Sequence, residues 1–80
     1  MISSIDAAVV IETLKPAEDG RGTIVRLYES LGRPTTTRVR TTLPHSAVIE
    51  TDLIERPIAP ADLDRLAFGP FEIKTIKLEA

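Results

Sequence analysis

Runs rich in Val, Ile, Thr and Leu recur along this chain, broken by turn-forming residues about every ten positions. Strand-like segments at that spacing predict an all-β fold, a small antiparallel β-sandwich. Six strands are expected, over residues 7–14, 23–29, 35–43, 47–54, 63–68 and 71–78. The punctuation between them is Pro16 with Asp19-Gly20 and Gly22, Gly32 with Pro34, Pro44, Pro57 with Pro60, and Gly69-Pro70. No proline falls inside an expected strand, where it would remove a ladder hydrogen bond.

The third and fourth runs alternate. Thr37, Val39, Thr41 and Leu43 share one face and Arg38 and Arg40 the other; Ala47, Ile49 and Leu53 likewise oppose Glu50 and Asp52. A hairpin through Pro44-His45-Ser46 would set Arg40 opposite Glu50 and Arg38 opposite Asp52. Each such pair contributes about a few tenths of a kcal/mol and helps fix the register.

Two runs break the alternation. In the last, Phe71 and Ile73 share a face that Ile76 and Leu78 leave, which predicts a β-bulge near Lys74-Thr75; burial on both faces is the rival reading. In the first, Ala7, Val9 and Ile11 lie on one side and Ala8, Val10 and Leu14 on the other. Apolar residues on both faces imply cover on both, and a two-layer domain supplies only one. The second cover is therefore expected from another domain or subunit. The stretch Ala59-Pro60-Ala61-Asp62-Leu63-Asp64-Arg65-Leu66 reads as extended chain or as a short helical turn that Gly69-Pro70 would end.

Composition narrows the function. Eighty residues make one small domain over residues 1–80, hiding only about 60% of the surface its unfolded chain exposes. A net charge of −2 gives no general attraction to nucleic acid or an anionic membrane. Arg21, Arg26, Arg33, Arg38 and Arg40 are balanced by acidic neighbours and lack the interleaved aromatics that stack on bases. No apolar run approaches the roughly 18 residues of a membrane helix, and Met1 to Asp6 lacks the basic start and apolar middle of a signal peptide. Cysteine is absent, which fits a reducing compartment.

Four short motifs carry a resemblance. In order they are Leu14-Lys15 with its Pro-Ala-Glu-Asp-Gly turn, Arg26-Leu27-Tyr28-Glu29, Glu50-Thr51-Asp52-Leu53-Ile54-Glu55, and Pro70-Phe71-Glu72-Ile73-Lys74-Thr75. The chain thereby resembles the C-terminal β-domain of glycoside hydrolase family 38 α-mannosidases. The resemblance implies a non-catalytic module that packs on the catalytic body and supports its structure or assembly. It implies no cofactor in this chain, since the family's divalent metal, usually zinc, is held in another domain. The implied partner is that catalytic domain or a second copy of this chain, with no nucleic acid or membrane, in the cytoplasm. A start at Met1 and a stop just after the closing strand fit a domain cut out or separately encoded. The alternatives are a free-standing carbohydrate- or protein-binding β-module, using an exposed strand edge, and a small self-associating β-protein.

The residues themselves offer little chemistry, and no catalytic, cofactor or metal residue is assigned. Retaining glycosidases need two carboxylates about 5 to 5.5 Å apart flanking the scissile bond. Glu50 and Asp52, two positions apart on a strand, sit side by side on one face instead. Glu12, Glu29, Glu55 and Glu72 are scattered singly; Glu29 and Glu72 are expected to make a salt bridge or backbone hydrogen bonds, with Arg26 or Lys74 as partners. His45, the sole histidine, follows Pro44 in a turn, whereas zinc takes three or four ligands. Ser3-Ser4 and Thr35-Thr36-Thr37 have no histidine base at a meaningful spacing. Gly20, Gly22 and Gly32 open no helix that would cradle a phosphate. Tyr28, Phe68 and Phe71 are expected in strands, packed in the core rather than forming a sugar platform.

Overall fold

The structure, a computed structural model, describes residues 2–80. It contains nine strands and, among the described residues, no helix: β1 (Ile2–Ser4), β2 (Val9–Pro16), β3 (Gly22–Glu29), β4 (Thr35–Thr37), β5 (Val39–Thr41), β6 (Ala47–Thr51), β7 (Pro57–Pro60), β8 (Leu66–Phe68) and β9 (Ile73–Glu79). Every pairing is antiparallel. One layer is a five-stranded sheet in the order β2-β3-β9-β6-β7; the two-stranded ribbons β1-β5 and β4-β8 make the other.

The core fills the space between these layers. Val9, Val25, Leu27, Ile76 and Leu78 of the large sheet meet Val39, Leu66 and Phe68 of the ribbons. The alternation in residues 35–43 holds throughout, with Thr35, Thr37 and Val39 buried and Thr36, Arg38 and Arg40 exposed. The expected single strand is cut at Arg38, because its halves pair with different partners, β4 with β8 and β5 with β1. Side chains and backbone stitch the ribbons together. Ser4 Oγ and Thr37 Oγ1 lie 2.9 Å apart, and the N–H of Val39 donates to the carbonyl of Leu63 at 2.7 Å.

The expected hairpin between residues 35–43 and 47–54 does not form. The turn Pro44-His45-Ser46 carries the chain from the ribbon layer to the large sheet, so β5 and β6 are not paired. Arg40 lies opposite Ser3 instead, while Glu50 lies opposite Ile76 on one side and Ala59 on the other. Arg38 approaches Asp64 at 3.5 Å, and Asp52 binds Arg56 at 2.8 Å. The alternation expected in residues 47–54 is also lost: Ala47 to Glu50 are all half-buried and Leu53 is exposed.

The two irregular runs exchange explanations. The bulge lies in β2, where the register with β3 slips between Ile11 and Thr13. With Glu12 as the extra residue, Val9, Ile11 and Leu14 all follow the inner residues Glu29, Leu27 and Val25, so one cover suffices for most of that strand. In β9 the register with both neighbours is continuous. Thr75, Ile76, Lys77 and Leu78 are buried in succession because β9 is the central strand and both its faces are covered.

Prolines mark the sheet's margins. Pro57 and Pro60 lie within β7 and Pro16 closes β2, contrary to the expectation that no strand holds one; β7 and β2 are the edge strands, where one row of N–H groups has no partner to lose. Residues 59–66 are extended chain and a turn: β7 ends at Pro60, and the N–H of Arg65 donates to the carbonyl of Asp62 at 3.1 Å. At Gly22 the backbone has φ 136, and a Cβ there would sit 2.0 Å from the carbonyl oxygen of Leu78. Only glycine lets β3 start flush against β9.

Candidate functional site

The most unusual group in this fold is Glu29, the last residue of β3. Its side chain lies on the core side of the sheet and is 0% exposed. The chain then turns back tightly, which aims successive N–H groups at the carboxylate. Oε2 accepts from Leu31 at 2.9 Å, while Oε1 accepts from Gly32 at 2.7 Å, Arg33 at 3.0 Å and Phe71 at 3.0 Å. Removal from water pushes this carboxyl up, but the N–H groups of Phe71, Leu31, Arg33 and Gly32 together hold it below the ordinary glutamate value of 4.5. Glu29 therefore stays ionised and ties the β3–β4 loop to the turn before β9. Backbone hydrogen bonds are what the sequence leads one to expect of it; neither Arg26 nor Lys74 takes part.

The turn it holds is Gly69-Pro70-Phe71-Glu72, closed by the N–H of Glu72 on the carbonyl of Gly69 at 3.0 Å. Glu72 reinforces it, with Oε1 accepting from the N–H of Gly69 at 2.8 Å and Oε2 lying 3.6 Å from Lys74 Nζ. Phe71, at the third position, has φ 57, a left-handed backbone that β-turns reserve mostly for glycine or asparagine. Its ring rests on Gly32, where a Cβ would fall 2.7 Å from ring carbons. Phe71 thus lies outside β9, is 66% exposed, and corrects the expectation of a strand residue in the core. Phe68 does occupy the core and Tyr28 is half-buried.

The outer face of the large sheet carries a second polar assembly. Lys77 Nζ is held by Asp19 of the β2–β3 turn and approaches Glu79 at 3.6 Å. That hydrogen bond holds Asp19 below the ordinary 3.8 and Lys77 above the ordinary 10.5. The β6–β7 turn reaches over the same face: Glu55 accepts from the N–H of Glu18 at 2.9 Å and lies 3.7 Å from Lys15 Nζ. Asp52 braces that turn, its carboxyl lowered chiefly by the N–H of Arg56. Part of the second cover that the sequence assigns to another domain or subunit is thus supplied by this chain's own turns.

These shifts set the pH response of stability. Glu29, Asp19 and Asp52 have lowered pKa values, so they contribute above their unfolded values, near 4.5 and 3.8, and the contribution is lost as pH falls through the folded ones. Raised Lys77 contributes fully below 10.5 and loses its contribution as pH rises through its folded value. Circular-dichroism melts should give a level Tm across neutral pH and a fall on both sides. A Tm unchanged down to about pH 3 would contradict the acid limb.

Among the described residues, the carboxylates singled out by the sequence do not converge on one another. Glu50 is turned toward Lys74 at 3.7 Å, and Asp52 serves its own turn. His45 is exposed with Nδ1 2.9 Å from the carbonyl of Leu43, and among the described residues no three His, Asp or Glu side chains converge as metal ligands would. Ser4 and Thr37 bind each other, and Thr35 Oγ1 donates to the carbonyl of Arg33 at 3.1 Å.

Comparison with known proteins gives a consistent picture. The family model for the C-terminal β-sandwich domain of family 38 glycosyl hydrolases matches residues 8–76. Alpha-mannosidase G of Dictyostelium discoideum is 34% identical over 83 residues, covering 95% of this chain and 8% of that protein. Alpha-mannosidase 2C1 of Homo sapiens is 35% identical over 80 residues, covering 89% of this chain and 8% of that protein. The chain thus spans less than a tenth of either relative's length. No solved structure matches.

Proposed function

This chain belongs to the family 38 glycosyl hydrolase C-terminal β-sandwich domains, and from that premise we propose that it is the non-catalytic module of an α-mannosidase-like enzyme. It packs on the catalytic body and supports that body's structure or assembly. The observation that carries the reading is the match over residues 8–76, in a fold whose buried carboxylate serves backbone architecture rather than substrate. On this reading the divalent metal that α-mannoside hydrolysis would use is held in another domain of the enzyme. A cytoplasmic setting belongs to the same proposal and is supported by the cysteine-free composition. No described helix is long and apolar enough to cross a membrane.

Two measurements test this. The isolated chain should give no turnover of an aryl α-mannoside above the blank. The α-mannosidase polypeptide that carries the module should lose soluble, heat-resistant activity when the segment is deleted. Turnover by the isolated chain, or a truncated enzyme as active and durable as the intact one, would overturn the reading.

A further inference from the structure

Leu31, Phe71 and Ile73 are 61%, 66% and 56% exposed, and all three lie at the end of the large sheet where β3 stops and β9 begins. Ile73 pairs with Tyr28 and Tyr28 with Val10, so the apolar row continues onto the outer face. This tip is held stiffly. The Glu29 carboxylate draws both of its loops together, and the Phe71 ring lies on Gly32.

Phe71 is the residue that the isolated fold does not explain. Only one other non-glycine residue among those described has a positive φ, Glu55 at 66°. The side chain of Glu55 is 12% exposed and serves the module internally through Lys15 and the N–H of Glu18. Phe71 adopts the same uncommon backbone, yet the residue is 66% exposed. Strained positions of this kind cluster at binding surfaces, where the surroundings fix a group before its partner arrives. An exposed aromatic with its entropy already restricted has the character of an interface anchor.

We infer that this tip, with Phe71 as its anchor, is the surface by which the module docks on the catalytic body of the same α-mannosidase polypeptide. The inference rests on the module reading above and adds the site of contact. The occupant follows from size. A stable complex of separate proteins buries about 800 Å² on each partner, roughly a sixth of the 4834 Å² surface of this molecule. Three side chains and the row beside them fall well short of that for a second copy of the chain. Within one polypeptide the effective concentration is high, and a small stiff patch is enough. More than nine-tenths of each relative lies outside the matched segment, so a body large enough to receive the tip is present in those proteins.

The test compares Phe71→Gly with deletion of the segment in the α-mannosidase polypeptide that carries it, and with Phe71→Gly in the isolated chain. Glycine accepts the positive φ, so the isolated variant should melt within a few degrees of the parent chain. In the enzyme, Phe71→Gly should speed thermal inactivation on the order of tenfold, toward the rate of the deletion. Ile73→Ser and Leu31→Ser, at exposed positions, should act in the same direction. Amide exchange across residues 29–33 and 69–73 should be slower in the enzyme than in the isolated chain. If deletion destabilises the enzyme while all three variants inactivate at the parental rate, the tip is the wrong surface and the module reading survives. If deletion itself has no effect, both fall. A concentration-dependent dimer of the isolated chain that Phe71→Gly abolishes would assign the tip to a second copy instead.

Discussion

Glu29→Ala should lower the Tm of the isolated chain by roughly 10 °C or more, because up to four backbone donors lose a buried acceptor at once. The donors are the N–H groups of Leu31, Gly32, Arg33 and Phe71, and the carboxylate that accepts from all four is fully buried. Either the loops open and hydrate, exposing part of the core, or the amides remain unpaired. Glu29→Gln separates charge from shape. It keeps one acceptor oxygen but turns an amide NH₂ toward donors, so its Tm should fall between the two. Amide exchange at residues 31–33 and 71 should quicken in both variants. A Glu29→Ala chain melting within about 3 °C of the parent would show that the carboxylate is a passenger.

Ile76→Ala should cost about 2–5 kcal/mol, since it removes buried methyl groups from a strand that cannot collapse inward. Ile76 is 0% exposed, at the centre of the sheet between Val25 and Glu50, and faces the ribbons. The corresponding fall in Tm is roughly 10–25 °C for a domain of this size. Ile73→Ala, three residues earlier on the same strand, should change stability by no more than about 0.5 kcal/mol, because its side chain already faces solvent. Chemical denaturation of the two variants, read by circular dichroism, checks both values. Equal losses would mean that the strand is not phased as described.

The contrast between Ile73 and Ile76 also shows how far the amino-acid pattern can be read. The all-β class and the alternation over residues 35–43 are legible, because those residues cover a core on one side only. Apolar residues at both parities are ambiguous by nature. A bulge in a half-covered strand and a regular strand covered on both sides produce the same string of letters. In β2 the first applies and in β9 the second, and only the pairing partners decide between them. The missing hairpin has the same origin. The charges of Arg38, Arg40, Glu50 and Asp52 suit a pairing that the turn at Pro44 does not build, because the chain changes layers there. Three residues of β1 give too short a signal to notice, and β7 is hidden by the prolines that bound it.

The candidate site was legible only in outline. An isolated glutamate at the end of a strand suggests backbone hydrogen bonding, but its donors depend on two loops meeting, one of them 42 positions away along the chain. The place of Phe71 is not legible in the sequence, because Gly69-Pro70 and the following Glu-Ile-Lys-Thr suggest a strand beginning at once. The turn takes two residues more, and with them the ring leaves the core.

The prolines of β7 and the extra residue in β2 have a further consequence for how this molecule behaves at high concentration. Those two strands are the lateral margins of the large sheet, the places where a foreign strand could attach and propagate a fibril. On one margin, Pro57 and Pro60 cannot offer the N–H groups that templating needs; on the other, the kink at Glu12 spoils the straight row a newcomer would copy. A chain of eighty residues with modest stability is thereby kept from polymerising through its flanks, and whatever it adheres to must meet it elsewhere.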